Sequence, residues 1–217
     1  MKKKNKKTFI LGVGLLMAFV VWTVLVSFVD VGAIGPNESS VGFATLNGYV
    51  HSLTKVNMSL YTVTDWLGLV PIAVALGFAS LGLIQWIKRK SLCKVDRSIL
   101  FLGVFYTVVI AVYVLFEIVV INYRPVLING YLEASYPSST TMLVMCVMPT
   151  AIFQLRSRIK NILLRRCVIS AVVVFIAFMV IARLISGVHW VTDIIGGALF
   201  SSGLVMIYHT ITQQNKL

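Results

Sequence analysis

A chain of 217 residues would suit one or two soluble domains, but 59% of its residues are hydrophobic, only 12% are charged, and the mean hydropathy is +0.93. Soluble domains carry roughly 45–50% apolar and about 25% charged residues, so composition excludes a soluble domain, a disordered chain and a disulfide-stapled secreted module. The formal charge of +12 would suggest nucleic acid in a soluble chain; in an integral membrane protein it first raises the question of where the positive charges sit.

A bilayer-spanning helix needs about 20 mostly apolar residues. Six stretches approach that length: 9–29, 66–87, 98–121, 139–155, 167–185 and 190–211. The first follows Lys2, Lys3, Lys4, Lys6 and Lys7. Its apolar run exceeds a signal-peptide core of roughly 7–15 residues, so a retained first helix is expected. The connector 30–65 is the one long loop; Gly32, Gly35 and Pro36 break the helix, and Leu46, Val50 and Leu53 have the spacing of an amphipathic helix lying on the membrane surface. Lys88, Arg89, Lys90, Lys94 and Arg97 separate the second and third stretches. Arg156, Arg158, Lys160, Arg165 and Arg166 separate the fourth and fifth, and Lys216 follows the sixth. Sixteen of the 19 basic residues therefore fall on one side, which the positive-inside rule makes cytoplasmic. The expected architecture is an all-α membrane protein: one domain over 1–217, a six-transmembrane-helix bundle with both termini cytoplasmic and 30–65 extracytoplasmic. The charge then reflects topology and attraction to lipid headgroups, not nucleic acid. Gly12, Gly14, Gly77, Gly82, Gly196 and Gly197 are available for close helix packing. Cys93, Cys146 and Cys167 match no zinc or redox spacing and read as free thiols, and no metal or cofactor is expected.

The basic residues outside the cytoplasmic set are Lys55, Arg124 and Arg183. Arg124 is expected to end the third span and Arg183 the fifth, both at the outer face. Two guanidinium forks there suit a phosphate, because their donors match its oxygens bidentately. After Arg183 come Ser186-Gly187, which suit a tight turn, then His189 and Asp193. Those two should share a face at the start of the sixth helix, where a carboxylate on one imidazole nitrogen leaves the other free for attack. Pro137-Ser138-Ser139-Thr140 opens the fourth span; a helix N-terminus with hydroxyls is a phosphate cradle.

Together these residues resemble the type 2 phosphatidic acid phosphatase superfamily of membrane lipid phosphate phosphatases. The family pattern is Lys-x6-Arg-Pro, Pro-Ser-Gly-His and Ser-Arg-x5-His-x3-Asp. This chain has Arg124-Pro125, Pro137-Ser138-Ser139-Thr140 and Ala182-Arg183-x5-His189-x3-Asp193. The resemblance implies a metal-free phosphohistidine mechanism. His189 would be the nucleophile and Asp193 its partner, with Arg124, Arg183, Ser138, Ser139 and Thr140 around the phosphate. The substrate would be a lipid phosphate or diphosphate of the undecaprenyl diphosphate, phosphatidylglycerophosphate or phosphatidate type, met at the outer face of a plasma membrane, bacterial by the look of the short loops. Two positions depart from the pattern. The family Lys is Glu117, and the family's general-acid His is Thr140. Glu117 is open to two readings: a substitute proton donor with a pKa raised by burial, or an ion pair with Arg124 or Arg183. His51, on the outer loop, is a second substitute donor. The departures keep an alternative open, a catalytically impaired relative that binds phospholipid headgroups in a regulatory role.

Overall fold

The computed structural model describes residues 3–214. Among these the chain is helical: α1 (Lys3–Phe28), α2 (Ala44–Thr54), α3 (Met58–Leu67), α4 (Leu69–Arg89), α5 (Arg97–Ile118), α6 (Ser139–Arg158), α7 (Ile162–Ile185) and α8 (Val191–Gln214). Extended pairing among the described residues is limited to isolated bridges.

Five runs are long and apolar enough to cross a membrane: Asn5–Phe28, Met58–Arg89, Arg97–Ile118, Ile162–Ile185 and Val191–Gln213. The stretch 139–155 forms α6, which is long but more polar. The reason is its place in the bundle. Its Thr141, Thr150 and Gln154 are buried against α4, α5, α7 and α8 rather than turned to lipid. A helix covered by protein can satisfy polar groups through its neighbours, which a lipid-facing helix cannot.

The helices outrun their apolar stretches where capping residues extend them. Asn161 accepts from the Leu163 and Leu164 amides and starts α7 five residues ahead of the expected span. Asn57 does the same for α3 through the Leu60 amide. The second span therefore begins at Met58 inside the connector 30–65, and α3 and α4 form one run interrupted at Gly68. Pro71, near the start of α4, supplies no amide hydrogen to the turn before it. Conversely, the third span ends early. α5 stops at Ile118 rather than at 121, so Arg124 is not on a helix.

Within a bilayer, helices associate by close packing and hydrogen bonds rather than by escape from water. α1 lies antiparallel along α8. A methyl group on Gly12 would stand 3.0 Å from the Gly203 carbonyl oxygen, while at the other end the Trp22 indole donates to the Thr192 carbonyl at 3.1 Å. Gly82, Gly196 and Gly197 likewise sit in close contacts, whereas Gly14 and Gly77 face open space. Phe19, Val26, Phe105, Met142, Cys146 and Phe200 form the main core, with Val144, Met148 and Met179 a smaller one. α2 turns Leu46, Tyr49 and Leu53 outward and buries Asn47, whose amide donates to the Thr192 hydroxyl at 3.0 Å. The basic connectors meet at the far end of the bundle, where Asp96 pairs with Arg89 (3.0 Å) and Arg158 (3.9 Å).

Candidate active site

The site lies at the end of the bundle opposite the basic connectors, and three segments build it. The first is a turn. Arg183 closes α7, Ser186 and Gly187 reverse the chain, and His189 precedes α8. Gly187 has φ +67°, and a Cβ there would lie 1.7 Å from the Lys55 carbonyl oxygen. Only glycine satisfies both constraints. Gly187→Ala is expected to destabilise the fold by at least about 3 kcal/mol, read as a lower thermal midpoint in detergent.

The second segment is a hairpin over residues 122–135. Asn129 (φ 50°) and Gly130 (φ 83°) both take positive φ, a type I′ turn between Ile128 and Tyr131. Further down, Tyr123 bridges Ala134, and the Arg124 amide donates to the Glu133 carbonyl at 3.0 Å. The Ser135 amide donates to the Asn122 carbonyl at 2.9 Å. This hairpin carries Arg124, Asn122 and Ser135 into the site. The third segment is the start of α6, where the Ser138 amide donates to the Asp193 carbonyl at 3.1 Å.

Asp193 stands in the first turn of α8, and its carboxylate reaches back to the Trp190 amide at 2.9 Å, half of a capping box. It also accepts from the Ser135 hydroxyl at 2.5 Å and the Asn122 amide at 3.4 Å. His189 lies in the turn, not on the helix face it was expected to share with Asp193. Its Nδ1 is 3.8 Å from the carboxylate, too far for a direct hydrogen bond, and 3.0 Å from the Ser135 hydroxyl. His189 is 3% exposed and Asp193 wholly buried. Burial, with the charges of Arg124 and Arg183 adding to it, holds the imidazole well below the usual histidine range. The ring is therefore neutral near pH 7, as a nucleophile must be.

Both arginines are buried, Arg183 at 1% and Arg124 at 7% exposure. The Arg183 Nη1 donates to the Thr64 hydroxyl (3.0 Å) and the Tyr61 carbonyl (3.4 Å), and Nη2 lies 3.6 Å from Asp65. Arg124 Nε lies 3.2 Å from Glu133, a charge contact without hydrogen-bond alignment. Both guanidinium groups lie over the Tyr61 ring, at 4.7 Å for Arg183 and 5.8 Å for Arg124. Several buried polar atoms here have no hydrogen-bond partner: His189 Nε2, Arg183 Nε, Arg124 Nε and Nη1, and Ser138 Oγ. A native interior leaves few such atoms, so a cluster of them marks a place built for a polar ligand. Arg124 and Arg183 are close enough for their charges to act on His189, and their free donors suit the oxygens of a phosphoryl group.

Ser139 and Thr140 occupy the first two positions of α6, half-buried. Glu117 stands exposed on the last turn of α5, beside Tyr113, and borders a narrow crevice shared with Ser135 and Ser139. The ion pair expected for it is not formed. Arg124 has Glu133 and Arg183 has Asp65; α5 ends before Arg124, and the hairpin pairs Arg124 with its own opposite strand. The His51 ring lies 5.4 Å from that of Trp190, tilted 58° to it, next to His189 in sequence. A wider cavity of about 90 Å³ lies at the far end, between Ser98, Gln154, Arg156 and Tyr208, and holds none of these residues. Among the described residues no His/Cys/Asp/Glu group could hold a metal ion.

Sequence reasoning missed Ser135, Asn122, Tyr61, Thr64, Asp65 and Glu133. Asn129-Gly130 between apolar runs was a legible signal for the hairpin. Tyr61, Thr64 and Asp65 fall on one helical face, but nothing local points that face at Arg183.

The PAP2 superfamily model matches residues 117–217, the segment that carries all three motif positions. The resemblance seen in those motifs is thereby borne out. No curated protein matches the chain. Among solved structures, a transmembrane PAP2 type phosphatidylglycerolphosphate phosphatase from Bacillus subtilis is similar in fold, with 22% identity, a TM-score of 0.55, and 95% of this chain and 96% of that one covered.

Proposed function

We propose, for a chain whose residues 117–217 belong to the PAP2 superfamily, that it is a membrane lipid phosphate phosphatase working through a phosphohistidine on His189. The observation that carries this reading is the cluster of unpartnered buried atoms: the bare Nε2 of His189 together with donors of Arg124, Arg183 and Ser138. His189 Nε2 attacks phosphorus, the leaving oxygen departs with the bonding electron pair, and water then hydrolyses the phosphohistidine. The two guanidinium groups hold the equatorial oxygens, where charge collects in the transition state.

In this reading the bundle crosses the membrane six times, α6 being the crossing enclosed by the others. The basic connectors and both termini face the cytoplasm, and the site opens at the extracytoplasmic face of the plasma membrane. α2 lies in the interface with Leu46, Tyr49 and Leu53 toward lipid. The substrate is a lipid phosphate or diphosphate, with phosphatidylglycerophosphate, phosphatidate and undecaprenyl diphosphate as candidates; the first is the type named for the Bacillus subtilis neighbour. Glu117 is exposed, not buried as the donor reading expected; its place across the crevice from Ser135 is what supports it as the candidate proton donor in place of the family histidine.

One observation favours a second reading. Thr140 stands where the family has its acid, and both arginines already hold carboxylates. A relative that binds phosphate headgroups without turnover would look the same. Phosphate release in detergent from a panel of the three lipids separates the two. Release from at least one lipid is expected. Binding without release, on every lipid, would favour the second reading.

A further inference from the structure

The His189–Asp193 pair has a third member. The Ser135 hydroxyl lies 3.0 Å from His189 Nδ1 and 2.5 Å from Asp193 Oδ2, while the two ionisable groups themselves are 3.8 Å apart. Ser135 is 2% exposed. A serine has one proton to donate and lone pairs to accept with, whereas an ionised carboxylate only accepts. Asp193 already accepts from the Trp190 and Asn122 amides, so both of its oxygens serve as acceptors here. The Ser135 proton therefore points to Asp193, and the bond to the ring runs the other way: Nδ1–H donates to the serine oxygen. That assignment leaves the proton on Nδ1 and the lone pair on Nε2, the atom without a partner among the arginines.

We propose that Ser135 is a positioning residue, a hydroxyl bridge that sets the His189 tautomer and passes the influence of Asp193 to the ring. The proposal rests on the phosphohistidine reading. When the Nε2 lone pair forms the N–P bond and the P–O electrons leave with the leaving oxygen, which takes its proton from the donor assigned above, Glu117, the ring gains one positive charge. The Nδ1 proton stays on the ring. The chain Nδ1–H to Ser135 O–H to Asp193 then stabilises that charge across two short hydrogen bonds rather than one long contact. The hairpin makes this possible. The Ser135 amide is tied to the Asn122 carbonyl, and the Asn122 side chain accepts from Gly42 while donating to Asp193, so the serine and the carboxylate are held in one frame. The other charged or titratable groups around His189 are Arg124 from the hairpin, Arg183 from α7 and His51 from α2, the last across Trp190. None of them has a bond to Nδ1.

The test uses the full chain in detergent, as wild type, Ser135→Ala and His189→Gln. Ser135→Ala is expected to lower kcat about 10²-fold while KM stays within about threefold, since the interaction acts on the ring and not on the phosphate. A serine that only packed the hairpin would shift the thermal midpoint without this split. Nitrogen-15 NMR of the ring gives a second readout that needs no turnover. The wild type should show His189 with the proton on Nδ1, and Ser135→Ala should show a mixture of tautomers. Should the alanine variant not fold, Ser135→Cys, of similar size and a weaker donor, takes its place with the same expectations. Unchanged kcat, or an unchanged tautomer, overturns the proposal. If His189→Gln releases as much phosphate as the wild type, the phosphohistidine reading fails instead, and the NMR result alone judges the bridge.

Discussion

If His189 is the nucleophile proposed above, replacing it by Gln is expected to reduce phosphate release by at least about 10⁴-fold, because the covalent route is then lost and only binding and charge stabilisation are left. Glutamine is the informative choice. It fills a similar volume and can keep a hydrogen bond to Ser135, so the turn around Gly187 and the cap of α8 should survive. Wild-type protein given a slow substrate and quenched in alkali should retain phosphate on histidine, and the Gln variant should retain none. The pH profile carries a second expectation. Burial first, then Arg124 and Arg183, lower the His189 pKa from its ordinary value of 6.5. A protonated imidazole has no lone pair to attack with, so activity falls as pH drops through the pKa of the folded enzyme. Because that pKa is lowered, the acid limb due to His189 should lie below pH 6.5 and not at it. An acid limb above that value would mean that another group, such as a proton donor or the substrate itself, sets the profile.

The second large effect is expected at Arg183. Arg183→Ala should lower kcat/KM by about 10³-fold, the scale seen when a guanidinium is removed from a phosphoryl-transfer site. Arg183→Lys should recover only part of it, since an ammonium supplies charge without the planar fork. The complication is structural. Arg183 also holds α3 through Thr64, the Tyr61 carbonyl and Asp65, so its loss could act by releasing α3. Asp65→Asn separates the two. It weakens the α3 contact while leaving the guanidinium in place, and it should cost far less than Arg183→Ala. Equal losses in both variants would assign Arg183 to anchoring rather than to phosphate. Asp65 and Glu133 together explain how two cations are tolerated in a largely buried site: each has a carboxylate at the rim, 60% and 42% exposed. A phosphate entering between the arginines would take over that role.

The membrane-spanning character, the side on which basic residues gather and the order of the three motifs were legible in the chain because each is a local property: apolar run length, charge per connector, residue spacing. The turn at Ser186-Gly187 was legible for the same reason, and the close approach of Gly187 to Lys55 shows how tightly that position is held. Helix ends were less legible. Hydropathy marks where a helix would meet lipid, whereas Asn57 and Asn161 extend α3 and α7 beyond it through capping. The polar composition of α6 reflects neighbours on all sides, which no local window contains.

What only the tertiary structure decided is how the candidate residues are connected. Sequence spacing put His189 and Asp193 on one helical face. In the fold the imidazole sits in the turn, and Ser135, 54 residues earlier, lies between them. Spacing put Glu117 and Arg124 on one helix. In the fold the helix ends at Ile118, and a hairpin pairs Arg124 with Glu133 instead. The Arg183 contact with Thr64 spans 119 residues. A sequence records which groups are available and how far apart they stand along the chain. Hydrogen bonds and ion pairs depend on distances of a few ångströms between segments that only packing brings together, so the chemistry was legible in residue types and its wiring only in the fold.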